Sequence, residues 1–105
     1  MKKFITILSL LFAFTVNAQD ITVIQFNAKW NSHNTNDNIE RVKRAQYKFA
    51  YLENQSDALQ KSIKSVPTVV IYKDGKPIKV FRGDLTMTLP IRLRDVQEVV
   101  DQNID

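Results

Sequence analysis

The sequence predicts an α/β domain with the element order β-α-β-α-β-β-α, folded as a four-stranded mixed sheet with helices on both faces. Three observations predict it. Residues 21–28 (ITVIQFNA) and 68–72 (TVVIY) carry apolar side chains at both odd and even positions, as central strands covered on both sides do. Stretches with helical spacing of apolar residues separate the strand-like runs. Asp74-Gly75 lies between two such runs, the signature of a two-residue hairpin turn. The 105 residues suffice for one small domain, and 44% hydrophobic with 25% charged residues belongs to a globular rather than a disordered chain.

Residues 1–18 stand apart from the rest. Lys2 and Lys3 precede an apolar run over 5–16, too short to span a bilayer comfortably, and Val16-Asn17-Ala18 places small residues where a signal peptidase reads. A cleaved secretory signal at 1–18 is expected, leaving a domain of residues 19–105. An uncleaved N-terminal anchor is the other reading. With no cysteine there is nothing to lipidate. Export of such a chain fits a bacterial periplasm or the exterior, with no membrane attachment after cleavage.

Residues 21–28 form the first strand. The polar stretch 31–38, dense in Asn, Ser, Thr and Asp, shapes a turn and caps the next helix. That short helix is expected from residue 35 or 36 to 45, where Ile39, Val42 and Gln46 share a face. Residues 47–52 alternate as a strand, and 57–64 are compatible with a helix through Ala58, Leu59 and Ile63. Ser65-Val66-Pro67 ends that helix. Residues 68–72 are the strongest strand, β-branched and apolar. The Asp-Gly turn leads to a return strand at 77–81, an edge strand because it begins with Pro77. Gly83 marks a turn, and Pro90 suits the first turn of a last helix over 91–104, with Val96, Val99, Val100 and Ile104 inward and Arg92, Arg94, Asp95 and Glu98 toward solvent. The two β-α steps imply parallel strands, and the hairpin adds an antiparallel pair.

Composition removes several function classes. Without cysteine there is no disulfide, no thiolate nucleophile and no thiolate metal site. A single histidine, His33, leaves too few ligands for zinc, so neither metal nor cofactor is expected. The formal charge is +4, and removing Lys2 and Lys3 leaves about +2, too little for a nucleic-acid footprint. Arg41, Lys43 and Arg44 read as a solvated helix face rather than a phosphate site.

Four stretches together resemble the thioredoxin family. Phe26-Asn27-Ala28-Lys29-Trp30 is similar to the strand that leads into the family's active-site tryptophan. Ser65-Val66-Pro67-Thr68 is similar to the step that holds its cis-proline, Tyr72-Lys73-Asp74-Gly75-Lys76 to the hairpin beyond, and Arg82-Gly83 to the glycine after the last strand. The resemblance spans about residues 21–103 and starts at the family's second strand, which implies a minimal thioredoxin-like fold. Each departure removes a catalytic group. The two redox cysteines match Asn31 and Asn34, and an amide neither attacks a disulfide nor resolves one. The buried proton-relaying acid matches Gln25, and the lysine beside it matches Tyr51.

The resemblance therefore implies a redox-inactive, non-enzymatic module that holds an extended peptide or protein partner. The candidate binding residues are Trp30, Asn31, Ser32, His33, Asn34, Val66 and Pro67, because the residue before the family's cis-proline pairs with peptides through its backbone. Bland readings stand beside each. Trp30 is a ligand platform or a core residue. The asparagines contact a ligand or cap the next helix, and Pro67 docks a peptide or only shapes the fold. His33 reads as an exposed loop residue, with general-base chemistry the lesser alternative. A structural subunit of an envelope assembly is the competing function.

Overall fold

The computed structural model describes residues 21–104, and the expected signal segment at 1–18 lies outside the described residues. Four strands, β1 (Ile21–Asn27), β2 (Gln46–Tyr51), β3 (Thr68–Lys73) and β4 (Lys76–Arg82), form one mixed sheet in the order β2-β1-β3-β4. Two α-helices, α1 (Asp57–Ser62) and α2 (Leu93–Gln102), and three 3-10 segments make up the other elements of the described residues. Among the described residues no helix is long and apolar enough to cross a membrane.

The odd-numbered face of the sheet carries the core. Ile21, Val23, Val69 and Ile71 pack with Ile39 and Val42 from the β1–β2 connection and with Leu89, Val96 and Val100 from the α2 region. β2 and β3 flank β1, so their connection crosses the opposite face, where α1 lies and where Phe26 and Val70 are buried.

Only the first β-α step gives a parallel pair. β1 and β2 run parallel, with Thr22 opposite Gln46 and Asn27 opposite Tyr51. β3 runs antiparallel to β1, with Phe26 opposite Thr68. The expected second parallel step does not occur. The connection, residues 52–67, is long enough to cross, but its one helix is only six residues and advances about 9 Å. The rest of it goes into turns, and β3 enters the sheet at the end where β2 left it, Tyr51 opposite Asn27 and Thr68 opposite Phe26. The hairpin is as expected: Asp74 and Gly75 both have positive φ, the type I′ pairing, and Lys73 faces Lys76. β4 is an edge strand, and a bulge at Ile71/Tyr72 leaves Ile78 half out of the ladder.

All three helices differ from their expected extents; α1 ends at Ser62, where Ile63 turns extended, two residues short of 64. In place of the helix expected from 35 or 36 to 45 there is one 3-10 turn, Asp37–Arg41; a second 3-10 segment, Lys29–Asn34, occupies the stretch expected as a turn, and extended Thr35 and Asn36 separate the two. Asn36 captures the Asn38 amide with its own side chain, the local competition that makes Asn-rich stretches poor helix interiors. The last helix begins at Leu93, leaving Pro90 outside it. The Asp95 carboxylate accepts the Arg92 backbone N–H (2.8 Å), which fixes the start, and Asn36 Nδ2 donates to the Leu89 and Ile91 carbonyls (3.0 and 3.1 Å). Asn103 closes the other end by donating to the Val99 carbonyl (2.7 Å).

Candidate functional site

At the end of β1 the chain turns through residues 28–36 on a connected set of buried amides. Gln25 is wholly buried; its Nε2 donates to the Asn36 carbonyl (3.0 Å) and to Tyr47 Oη (2.9 Å), and its Oε1 accepts the Asn36 N–H (2.9 Å). Asn27, also buried, donates to the Asn31 carbonyl and to Thr35 Oγ1, both at 2.9 Å, and accepts the Ala28 N–H. Asn31 is 1% exposed. Its Nδ2 donates to Asn27 Oδ1 and to the Met87 carbonyl, both at 3.0 Å, while its Oδ1 accepts from Asn34 Nδ2 at 2.8 Å. Primary amides suit such a network because each offers two donors and an acceptor. Burial and the nearby Glu40 and Asp37 carboxylates push the Tyr47 phenol above its ordinary value, against the smaller lowering effect of the Gln25 hydrogen bond.

The contact from Asn31 to Met87 ties this turn to a loop 56 residues away, Asp84 to Thr88. The Asp84 carboxylate organises that loop. It accepts from Thr86 through both N–H and Oγ1 and from Thr88 Oγ1 (3.2 Å), and these bonds, that from the Thr86 hydroxyl foremost, hold its pKa below the ordinary carboxylate value. Met87 adopts positive φ. The result is an outward-facing pair: Leu85 is 99% exposed and Met87 44%.

Trp30, 62% exposed, faces the same opening. Together with Ile63, Val66, Leu85 and Met87 it lines a groove of about 440 Å³ whose remaining walls include Glu53 and Lys64. Glu53 fixes one wall by accepting the Lys29 N–H with both carboxylate oxygens (3.0 and 2.9 Å). The Val66-Pro67 peptide bond is cis, and Gly83 packs against it so closely that a Cβ there would sit 2.7 Å from the Val66 carbonyl oxygen. Ser65 Oγ, on the same wall, is buried and has no hydrogen-bond partner.

No family model matches the sequence, and no curated protein matches it. Solved structures do. A mutant thioredoxin from Halobacterium salinarum superposes with a TM-score of 0.62 at 16% identity, covering 82% of this chain and 76% of that one. Thioredoxin-2, a component of malaria parasite protein secretion machinery, gives 0.57 at 19% identity, over 85% and 89%. Fasciola hepatica thioredoxin gives 0.54 at 19%, over 80% and 81%. The fold is that of thioredoxin. On this thioredoxin-like frame there is no cysteine anywhere in the chain, so dithiol exchange by its own side chains is not available to it.

The seven candidate residues separate into distinct roles. Trp30 and Val66 line the groove, and Pro67 is buried behind it. Asn31 is committed to the interior and offers nothing to a ligand, and Asn34 is engaged with it. Ser32 and His33 are exposed on the 3-10 turn outside the groove lining. Among the described residues no three His, Asp or Glu side chains gather as metal ligands. Sequence reasoning missed Leu85 and Met87. Their signal was an Asp-x-Thr-x-Thr loop, self-bonded through Asp84, with an apolar residue at each intervening position.

Proposed function

We propose that this chain is an exported, redox-inactive thioredoxin-like module that binds an extended, apolar peptide or protein segment across the Trp30–Leu85–Met87 groove. One observation carries the reading. Three large apolar side chains, one of them 99% exposed, rim a single groove on a small domain. Clustered exposed apolar side chains beside a groove mark interaction surfaces, whereas scattered ones do not. The buried Asn31 amide supports it further, because it holds the Leu85 loop in place from the position where the family carries its nucleophile. The groove's Glu53 and Lys64 supply polar contacts at its margin for a peptide backbone or termini. Export rests on the residue 1–18 pattern, and N-terminal sequencing of protein recovered from outside the cytoplasm is expected to begin at Gln19.

Selection of a random peptide-display library against the chain tests the binding role. Enriched peptides are expected to be apolar at their centre, and Leu85→Asp is expected to weaken them tenfold or more, the scale of losing a central apolar contact. Recovery of no peptide above background, or equal binding by Leu85→Asp, refutes it.

A further inference from the structure

A second groove shares no lining residue with the first. The sequence placed Arg41, Lys43 and Arg44 on one solvated face, and the structure divides that trio. Arg44, at positive φ, turns toward α2 and pairs with Asp101 at 2.6 Å. Arg41 and Lys43 instead join Arg92 and Arg94, which lie about fifty residues further along the chain, around a concavity of about 490 Å³ between the Asp37–Arg41 turn and the start of α2. Its floor is Leu93, partly buried against the core, and Gln97.

The two walls are fastened together. Gln97 Oε1 accepts the Lys43 N–H and Gln97 Nε2 donates to the Lys43 carbonyl, both at 2.8 Å. Among the described residues none of the four cations has a carboxylate partner. Asp101 pairs with Arg44, and Asp95, the nearest acid in sequence to Arg92 and Arg94, has its carboxylate on a backbone N–H. Four exposed cationic side chains thus line one apolar groove with their alkyl stems, in a domain whose total charge is only about +2.

We infer that this groove takes an acidic peptide segment carrying one apolar side chain between its carboxylates. Exposed arginines from both walls, Arg41 on one and Arg92 and Arg94 on the other, suit carboxylates on either side of a central residue, and planar Arg donors favour that pairing. Leu93 gives the central side chain an apolar seat. A membrane surface would need the apolar group to project beyond the charges, and here it lies below them. Nucleic acid would need a longer basic track than these four residues provide.

The test uses the full chain and a synthetic peptide with one Phe flanked on each side by Asp and Glu, followed by amide NMR shifts and by anisotropy of a labelled copy. Shifts are expected at residues 41–43 and 92–97. Arg41→Glu with Arg92→Glu, both at exposed positions, is expected to weaken binding tenfold or more, as breaking interfacial charge pairs does. The same charge change at Lys61 and Lys76 is expected to leave it unaltered, and Phe→Gly in the peptide to weaken it. Binding insensitive to the Arg pair, shifts elsewhere, or indifference to Phe→Gly overturns the inference. So does capture by phosphatidylglycerol vesicles without capture of the peptide, which would assign the patch to a lipid surface.

Discussion

Replacing Asn31 with alanine isolates what this buried amide contributes to the turn after β1. The side chain is 1% exposed and takes part in three hydrogen bonds, to Asn27, Met87 and Asn34. Truncation leaves the Met87 carbonyl without that donor and the Asn34 amide without that acceptor, while Asn27 Oδ1 still accepts from Ala28. The three lost bonds, that to Asn27 buried and the other two partly so, give an expected loss of about 2–4 kcal/mol. For a domain of this size that is a fall in Tm of roughly 10–30 °C. Thermal and urea unfolding followed by circular dichroism reads it directly. Ser32→Ala, on the exposed side of the same turn, is expected to stay within about 0.5 kcal/mol. Asn31→Cys is expected to behave like the alanine variant, because a thiol cannot donate to two acceptors at once. Wild-type stability in Asn31→Ala would refute the claim that this amide staples the Leu85 loop.

Two further outcomes rest on the same geometry. Gly83→Ala places a Cβ 2.7 Å from the Val66 carbonyl oxygen and 2.8 Å from that of Pro67; backbone atoms yield only by shifting the chain, so a loss of about 1–3 kcal/mol is expected in urea unfolding, together with weaker ligand binding at the Val66 wall. The phenols of Tyr47 and Tyr72 are both raised, chiefly by burial. The folded chain therefore keeps these protons where the unfolded chain has lost them, so their contribution is complete below about pH 10 and disappears as pH rises through the raised folded values. Urea midpoints measured across that range are expected to fall on the alkaline side, less steeply in Tyr47→Phe with Tyr72→Phe; an identical slope would contradict the assignment.

The sheet was legible because strand periodicity is local. Residues 21–28, 47–52 and 68–72 announced themselves, and Asp74-Gly75 fixed the hairpin at the position where it occurs. The segment after Trp30 was less legible. Its apolar spacing at Ile39 and Val42 is helical, but the Asn and Thr side chains around it bond to backbone and to one another, and the segment becomes 3-10 turns. The groove was half legible. Trp30 and Val66 stand in motifs. Leu85 and Met87 sit in a loop whose exposure depends on Asp84 folding it outward and on Asn31 pinning it from 56 residues away, and neither contact has a periodicity to betray it. The basic groove depends likewise on Arg92 and Arg94 meeting Arg41 and Lys43 across the fold.

Trp30 is the only tryptophan in the chain and it lines the groove, so its emission reports occupancy of that surface without a label. The most direct measurement is a titration of the chain with an apolar peptide obtained by display selection, read by Trp30 fluorescence in the wild type and in Leu85→Asp. The expected result is a saturable blue shift, as a 62% exposed indole leaves water, which Leu85→Asp abolishes. Tight binding with unchanged Trp30 emission, or an equal shift in Leu85→Asp, would contradict the account.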